Sequence, residues 1–206
     1  MHPILDFAET AYIEAQNLLP LLSEYTNPHD FLARLVKKGD LIRLKNGFFV
    51  IAKNIQKNPV PYAQIANLLH GPSYLSFEWA LSYYGMIPEG VYVMTSASAI
   101  KSKSYTTPLG TFDYHFLNHS RYSIGLDQKE NHAGRFLIAT PEKALVDLVY
   151  QKSRELRGQD LLIDLIEGRR IDEDILKGLN KRHLLEIAER YRSPTITNLI
   201  TVLSTL

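Results

Sequence analysis

The chain has 206 residues, 45% of them hydrophobic and 22% charged, which suits one or two small domains able to bury a proper core. Cysteine is absent, so disulfides and thiolate metal sites are excluded and a reducing cytoplasm is the expected compartment; no run of eighteen apolar residues exists to span a membrane, and Met1–Thr10 lacks the basic start of a signal peptide. Net charge is only +1 but unevenly spread: Asp6, Glu9, Glu14 and Glu24 stand without Lys or Arg in residues 1–26, whereas residues 27–57 hold Arg34, Lys37, Lys38, Arg43, Lys45, Lys53 and Lys57 against Asp30 and Asp40.

Ile4–Leu18 is predicted as a first helix, because Leu5, Ala8, Tyr12, Ala15 and Leu18 recur at three- and four-residue spacing. Pro20 stops it or opens a very short second helix with Leu21, Leu22 and Tyr25. Asn27-Pro28 then starts a third: Asn27 can cap, Pro28 loses nothing at the first position, and Asp30 lands where a carboxylate is favoured. Phe31, Leu32, Leu35 and Val36 form its apolar stripe, and Gly39 ends it. Leu41–Lys45 and Phe48–Ile51 read as a hairpin about an Asn46-Gly47 turn. Pairing Lys45 with Phe48 and continuing in register puts Ile42, Leu44, Phe49 and Ile51 on the core face. Arg43 and Lys45 then stand together on the outward face at the tip.

That order, helix, short helix, capped helix and basic-tipped hairpin, is a winged helix-turn-helix over residues 1–57, and its commonest use is gripping DNA. His29 and Arg34 are the residues expected to see base edges. Lys37, Lys38, Arg43, Lys45 and Asn46 would chiefly meet phosphates, which supply affinity without sequence information. Winged helices also serve as docking modules, so the basic block alone leaves both uses open.

Asn54–Pro61, with two prolines, reads as a linker to a second domain over 58–206. There Tyr62–Leu69 is a helix, Ser76 caps another ending at Gly85, and Val91–Met94, Thr111–Phe116 and Phe136–Ala139 are strands. Ser96–Pro108 reads as a long connection. Thr140 caps a helix with Pro141 at its first position and Ala144, Leu145, Leu148 and Val149 buried; Asp147 can pair with Lys143 on its surface. From Gly158 the chain reads as helical, with a break at Pro194. The expected fold class is α+β: a winged helix-turn-helix, then a mixed α/β domain with a helical C-terminal part. Tyr74–Tyr122 is dense in aromatics, which serve a core or a docking face.

No phosphate-cradling glycine loop, nucleophile elbow or metal-ligand spacing occurs. His115 and His119 sit at a strand end rather than on one helix face, and Glu142 and Asp147 do not converge. No enzyme, cofactor or metal is therefore expected; a second carboxylate converging on Asp113 would revive an enzymatic function.

Three stretches in series, Leu35–Val50, Tyr74–Gly85 with Thr107–Phe112, and Ile138–Leu148, resemble the antitoxins of type IV toxin–antitoxin systems, the abortive-infection AbiEi family. The resemblance spans residues 35–148. It implies an N-terminal domain that binds double-stranded promoter DNA and represses its own operon. It also implies a C-terminal domain that neutralises a nucleotidyltransferase-like toxin encoded alongside. The operator-contacting set carried over is Arg34, Lys37, Lys38, Arg43 and Lys45. The alternative is a winged-helix regulator or protein-docking adaptor without a toxin partner.

Overall fold

In the computed structural model the protein is described over residues 10–22 and 26–206. The expected first helix is corrected in its described part. Tyr12–Glu14 is a strand, β1, followed by one helical turn, α1 (Ala15–Leu18), and a 3-10 turn at Leu19–Leu22. The expected residues before Thr10 and at Ser23–Tyr25 lie outside the described residues. Helical spacing loses here because an aromatic and a β-branched residue, Tyr12-Ile13, find a ready edge to pair with. That edge is β3 (Phe48–Ile51), antiparallel to β1 with Tyr12 opposite Val50 and Ile13 opposite Phe49.

Helix α2 (Pro28–Lys38) forms as its termini dictate. The Asn27 side chain accepts from the Asp30 N–H, and its amide donates to the Asp30 carboxylate at 2.8 Å. At the far end Gly39, at φ +82°, lets its own N–H and that of Asp40 turn back to the Val36 and Leu35 carbonyls. Phe31, Leu32 and Leu35 are buried against Ile13, Leu18, Leu22, Leu41, Phe49 and Ile51.

The hairpin of β2 (Leu41–Lys45) and β3 departs from the expected register. Lys45 faces Phe48, but Arg43 faces Phe49, Ile42 faces Val50 and Leu41 faces Ile51. Leu44 is the extra residue of a bulge. Its effect is to divide the hairpin between two cores. Leu41, Phe49 and Ile51 pack under α2. Leu44, Phe48 and Val50 belong to the main core with Ala63, Met94 and Phe112. Phe48 and Val50, which the expected register puts on the outward face with Arg43 and Lys45, are therefore buried, and that core runs across the 57/58 position.

Beyond the hairpin a six-stranded mixed sheet has the order β6-β7-β5-β4-β9-β8. Its strands are β4 (Ser73–Leu75), β5 (Met94–Ser98), β6 (Lys103–Thr107), β7 (Gly110–Phe116), β8 (Leu126–Asn131) and β9 (Gly134–Ala139). Alternation along the strands sorts the helices onto its two faces. Ser73 and Tyr114 both donate to the Ala66 carbonyl of α3 (Tyr62–Leu69). Tyr74 and His115 point the other way, to Asp147 of α6 (Pro141–Lys152) and to Phe77 of α4 (Phe77–Tyr83). Helices α9 (Lys181–Tyr191) and α10 (Pro194–Leu203) pack on α6, with α5 (His119–Tyr122), α7 (Gly158–Ile163) and α8 (Glu173–Lys177) completing the helical part.

Three expectations in this region are corrected. Val91–Val93 is not strand, while Ser96–Pro108 is not a long connection but the end of β5 and all of β6. Ser76 precedes α4 without capping it: its hydroxyl donates to Asp147 at 2.6 Å, and Thr95 Oγ1 accepts the Trp79 N–H instead. Finally, Lys143 and Asp147 are not a surface pair. Both side chains are fully buried and bonded to each other. Asp147 also accepts from Tyr74 and Tyr191, and Lys143 lies 4.7 Å from the Tyr191 ring centroid. Burial pushes the Lys143 ammonium below its usual range against the pull of Asp147.

Candidate nucleic-acid interface

The buried stripe of α2 leaves His29, Asp30, Ala33, Arg34, Lys37 and Lys38 exposed. His29 and Lys37 are two turns apart on this surface, and Arg34 precedes Lys37 by three residues, so cations follow one another along the helix. Lys37 and Lys38 fall in the last turn, where the carbonyl end of the helix favours positive charge. Exposed Lys38 is tied at 3.0 Å to Asp40, which is buried, and the pair offsets part of its charge. The Arg34 guanidinium leans over the Phe31 ring, 5.9 Å from its centroid.

A groove of about 320 Å³ lies between the start of α2 and the hairpin tip. His29 and Leu32 come from the helix, and Arg43, Asn46 and Phe49 from the hairpin. The bulge explains why Arg43 is here: opposite Phe49 it turns to the α2 side, its guanidinium 5.7 Å from that ring. Arg43 and Asn46 are exposed. The arrangement thus gathers His29, Arg43 and Asn46 at one concavity, beside the exposed row of Arg34 and Lys37.

Lys45 is placed elsewhere. Opposite Phe48 it turns to the main core, half-buried, and its ammonium donates to the Leu69 carbonyl at 2.7 Å. That carbonyl belongs to the last turn of α3, whose carbonyls have no partner within the helix, so Lys45 closes α3 rather than joining Arg43. A strict two-residue alternation predicts the two cations side by side; one extra residue separates them.

His115 packs edge-on against Phe77 with centroids 4.9 Å apart. Burial, then Lys152, lower its pKa, opposed by the carboxylates of Asp113 and Glu78. Among the described residues no group of three or more His, Asp or Glu side chains could hold a metal. The aromatics of 74–122 divide: Tyr74, Phe77, Phe112 and Tyr114 are buried, while Tyr83, Tyr92 and Phe116 are exposed. No helix of the described residues is long and apolar enough to cross a membrane. No protein-family model matches the chain, and no curated protein matches it.

Proposed function

We propose that the protein is a DNA-binding antitoxin of the type IV class that represses its own operon, with the α2 face and the hairpin tip as a winged-helix surface against double-stranded promoter DNA. One observation carries the DNA-binding part: His29, Arg43 and Asn46 converge on one groove beside exposed Arg34 and Lys37. In this reading Arg34, Lys37 and Arg43 supply phosphate contacts, and His29 and Asn46 meet base edges or sugar oxygens. Lys38 contributes at the margin, and Lys45 drops out because Leu69 holds it. The antitoxin part rests on the resemblance of residues 35–148, with neutralisation of a nucleotidyltransferase-like toxin assigned to the region beyond the hairpin.

Binding of the full chain to its own promoter, followed by fluorescence anisotropy across a salt series, tests the first part. Arg43→Ala and Lys37→Ala should each flatten the slope of log affinity against log salt by about one unit. Lys45→Ala should leave that slope alone. Equal slopes for the parent chain and the Arg43 and Lys37 variants would remove this surface from the function. For the second part, the full chain is co-expressed with the toxin encoded beside it. Arg34→Ala/Lys37→Ala/Arg43→Ala should lose promoter binding yet still protect; growth arrest despite a folded variant would argue against neutralisation by the region beyond the hairpin.

A further inference from the structure

A second concavity, of about 640 Å³, lies between the outer side of the hairpin and the six-stranded sheet. Its volume falls in the range of small-molecule sites, which favour junctions between structural units. Ile42 of the hairpin, Met94 at the start of β5 and Leu109 of the β6–β7 turn line an apolar floor, with Val50 buried behind it. One wall is aromatic. Trp79 and Tyr83, one turn apart on α4, stack with centroids 5.6 Å apart and planes at 16°. Tyr62 opens α3 beside them, and Tyr62 and Tyr83 remain 45% and 44% exposed.

Among the described residues that line this cleft, the polar groups are few and do not include a carboxylate. Lys53 supplies a cation and His132, on the β8–β9 turn, a ring nitrogen; both are exposed. Gln56 forms part of the remaining wall, and its side-chain oxygen is buried without a hydrogen-bond partner among the described residues. An unpaired buried acceptor is costly, and such an atom in a cleft wall wants a donor. A cationic ligand would meet Lys53 with no compensating acid among the described lining residues. A neutral hydrocarbon would leave both Lys53 and Gln56 unused.

We propose that this cleft binds a small planar aromatic acid bearing an O–H or N–H donor. The ring lies against the Trp79–Tyr83 wall, the acid group meets the Lys53 ammonium, and the amide of Gln56 turns to accept from the donor. This site is separate from the α2 groove and does not depend on the protein's binding DNA.

The probe is 4-hydroxyphenylacetate, titrated into the full chain. Trp79 is the only tryptophan, so its emission reports from the wall itself, with calorimetry as a second readout. Saturable binding is expected. The neutral amide, 4-hydroxyphenylacetamide, should bind about tenfold more weakly, and phenylacetate, which lacks the donor, also about tenfold more weakly. Lys53→Ala should erase the preference for the acid over the amide, and Gln56→Leu the preference for the hydroxyl, with the melting temperature of each variant unchanged within a few degrees. Absence of a saturable response overturns the proposal, as does an amide that binds as tightly as the acid, or preferences that survive in Lys53→Ala and Gln56→Leu.

Discussion

Asp147 shows what a single residue decides in this molecule. Its carboxylate is held by Lys143, Tyr74, Ser76 and Tyr191, so one acid ties β4, α6 and α9 together. The four-residue spacing of Lys143 and Asp147 is legible in the sequence; their burial is not, because the same spacing serves surface pairs equally well. Removing one member leaves the other charge buried. Lys143→Met should therefore lower stability by about 3–5 kcal/mol, read as a fall in the urea midpoint at unchanged slope. A loss below about 1 kcal/mol would mean the pair behaves as a solvated one. His115 gives a pH-dependent counterpart. Burial lowers its pKa, so on acidification the unfolded chain takes up a proton that the folded chain resists. Stability should fall as the pH drops through the ordinary histidine value of about 6.5, until the folded-state pKa is reached. His115→Gln should flatten that part of the curve, and a ring-proton titration should show a midpoint below the ordinary value. A midpoint at or above it would put the charged form of His115 in the folded state.

At the scale of elements, α2 and α6 are legible because their ends announce themselves. Asn27-Pro28 and Thr140-Pro141 each combine a capping side chain with a proline at the first position, and Thr140 accepts the Lys143 N–H as Asn27 accepts that of Asp30. Strands without apolar alternation are not legible. Met94–Ser98 is wholly buried although three of its five residues are Thr or Ser: Thr95 donates to the Ser76 carbonyl and Ser98 accepts from the Ile100 N–H, while the Ser96 hydroxyl is buried without a partner among the described residues. Leu126–Asn131 is an edge strand whose charges suit an edge exposed to water. The bulge at Leu44 is illegible for a different reason: nothing local requires it, and it forms because both faces of the hairpin have a core to fill. It predicts a dissociation between two neighbouring cations. Lys45→Ala should cost about 1 kcal/mol of stability, through the lost bond to Leu69, without changing the salt dependence of DNA binding. Arg43→Ala should do the reverse. Thermal melts and the salt series on the same two proteins decide it; a matched pair of effects would mean the cations share a face after all.

The whole molecule is organised by the hairpin's position between two cores. The expected boundary near residue 57 follows composition, since Asn54–Pro61 is polar and proline-rich, but composition cannot report that Leu44, Phe48 and Val50 fill the core of what comes after. Phe48 is 2% exposed and Val50 0%, and Tyr12 stacks on Phe48 at 5.5 Å. Burying three such side chains contributes on the order of 5–8 kcal/mol, a large share of the 5–15 kcal/mol by which domains of this size are stable. A fragment beginning near Pro61 loses that contribution and uncovers Ala63, Met94 and Phe112. It should melt well below the full chain and bind a hydrophobic dye that the full chain does not. Phe48→Ala in the full chain should reproduce part of the effect, costing about 3–5 kcal/mol. Such a loss would register in probes beyond residue 61, Trp79 emission among them, and not only in the α2 region. A fragment as stable as the full chain, with Phe48→Ala felt only near α2, would show that the two cores are independent and that the hairpin merely rests on its neighbour.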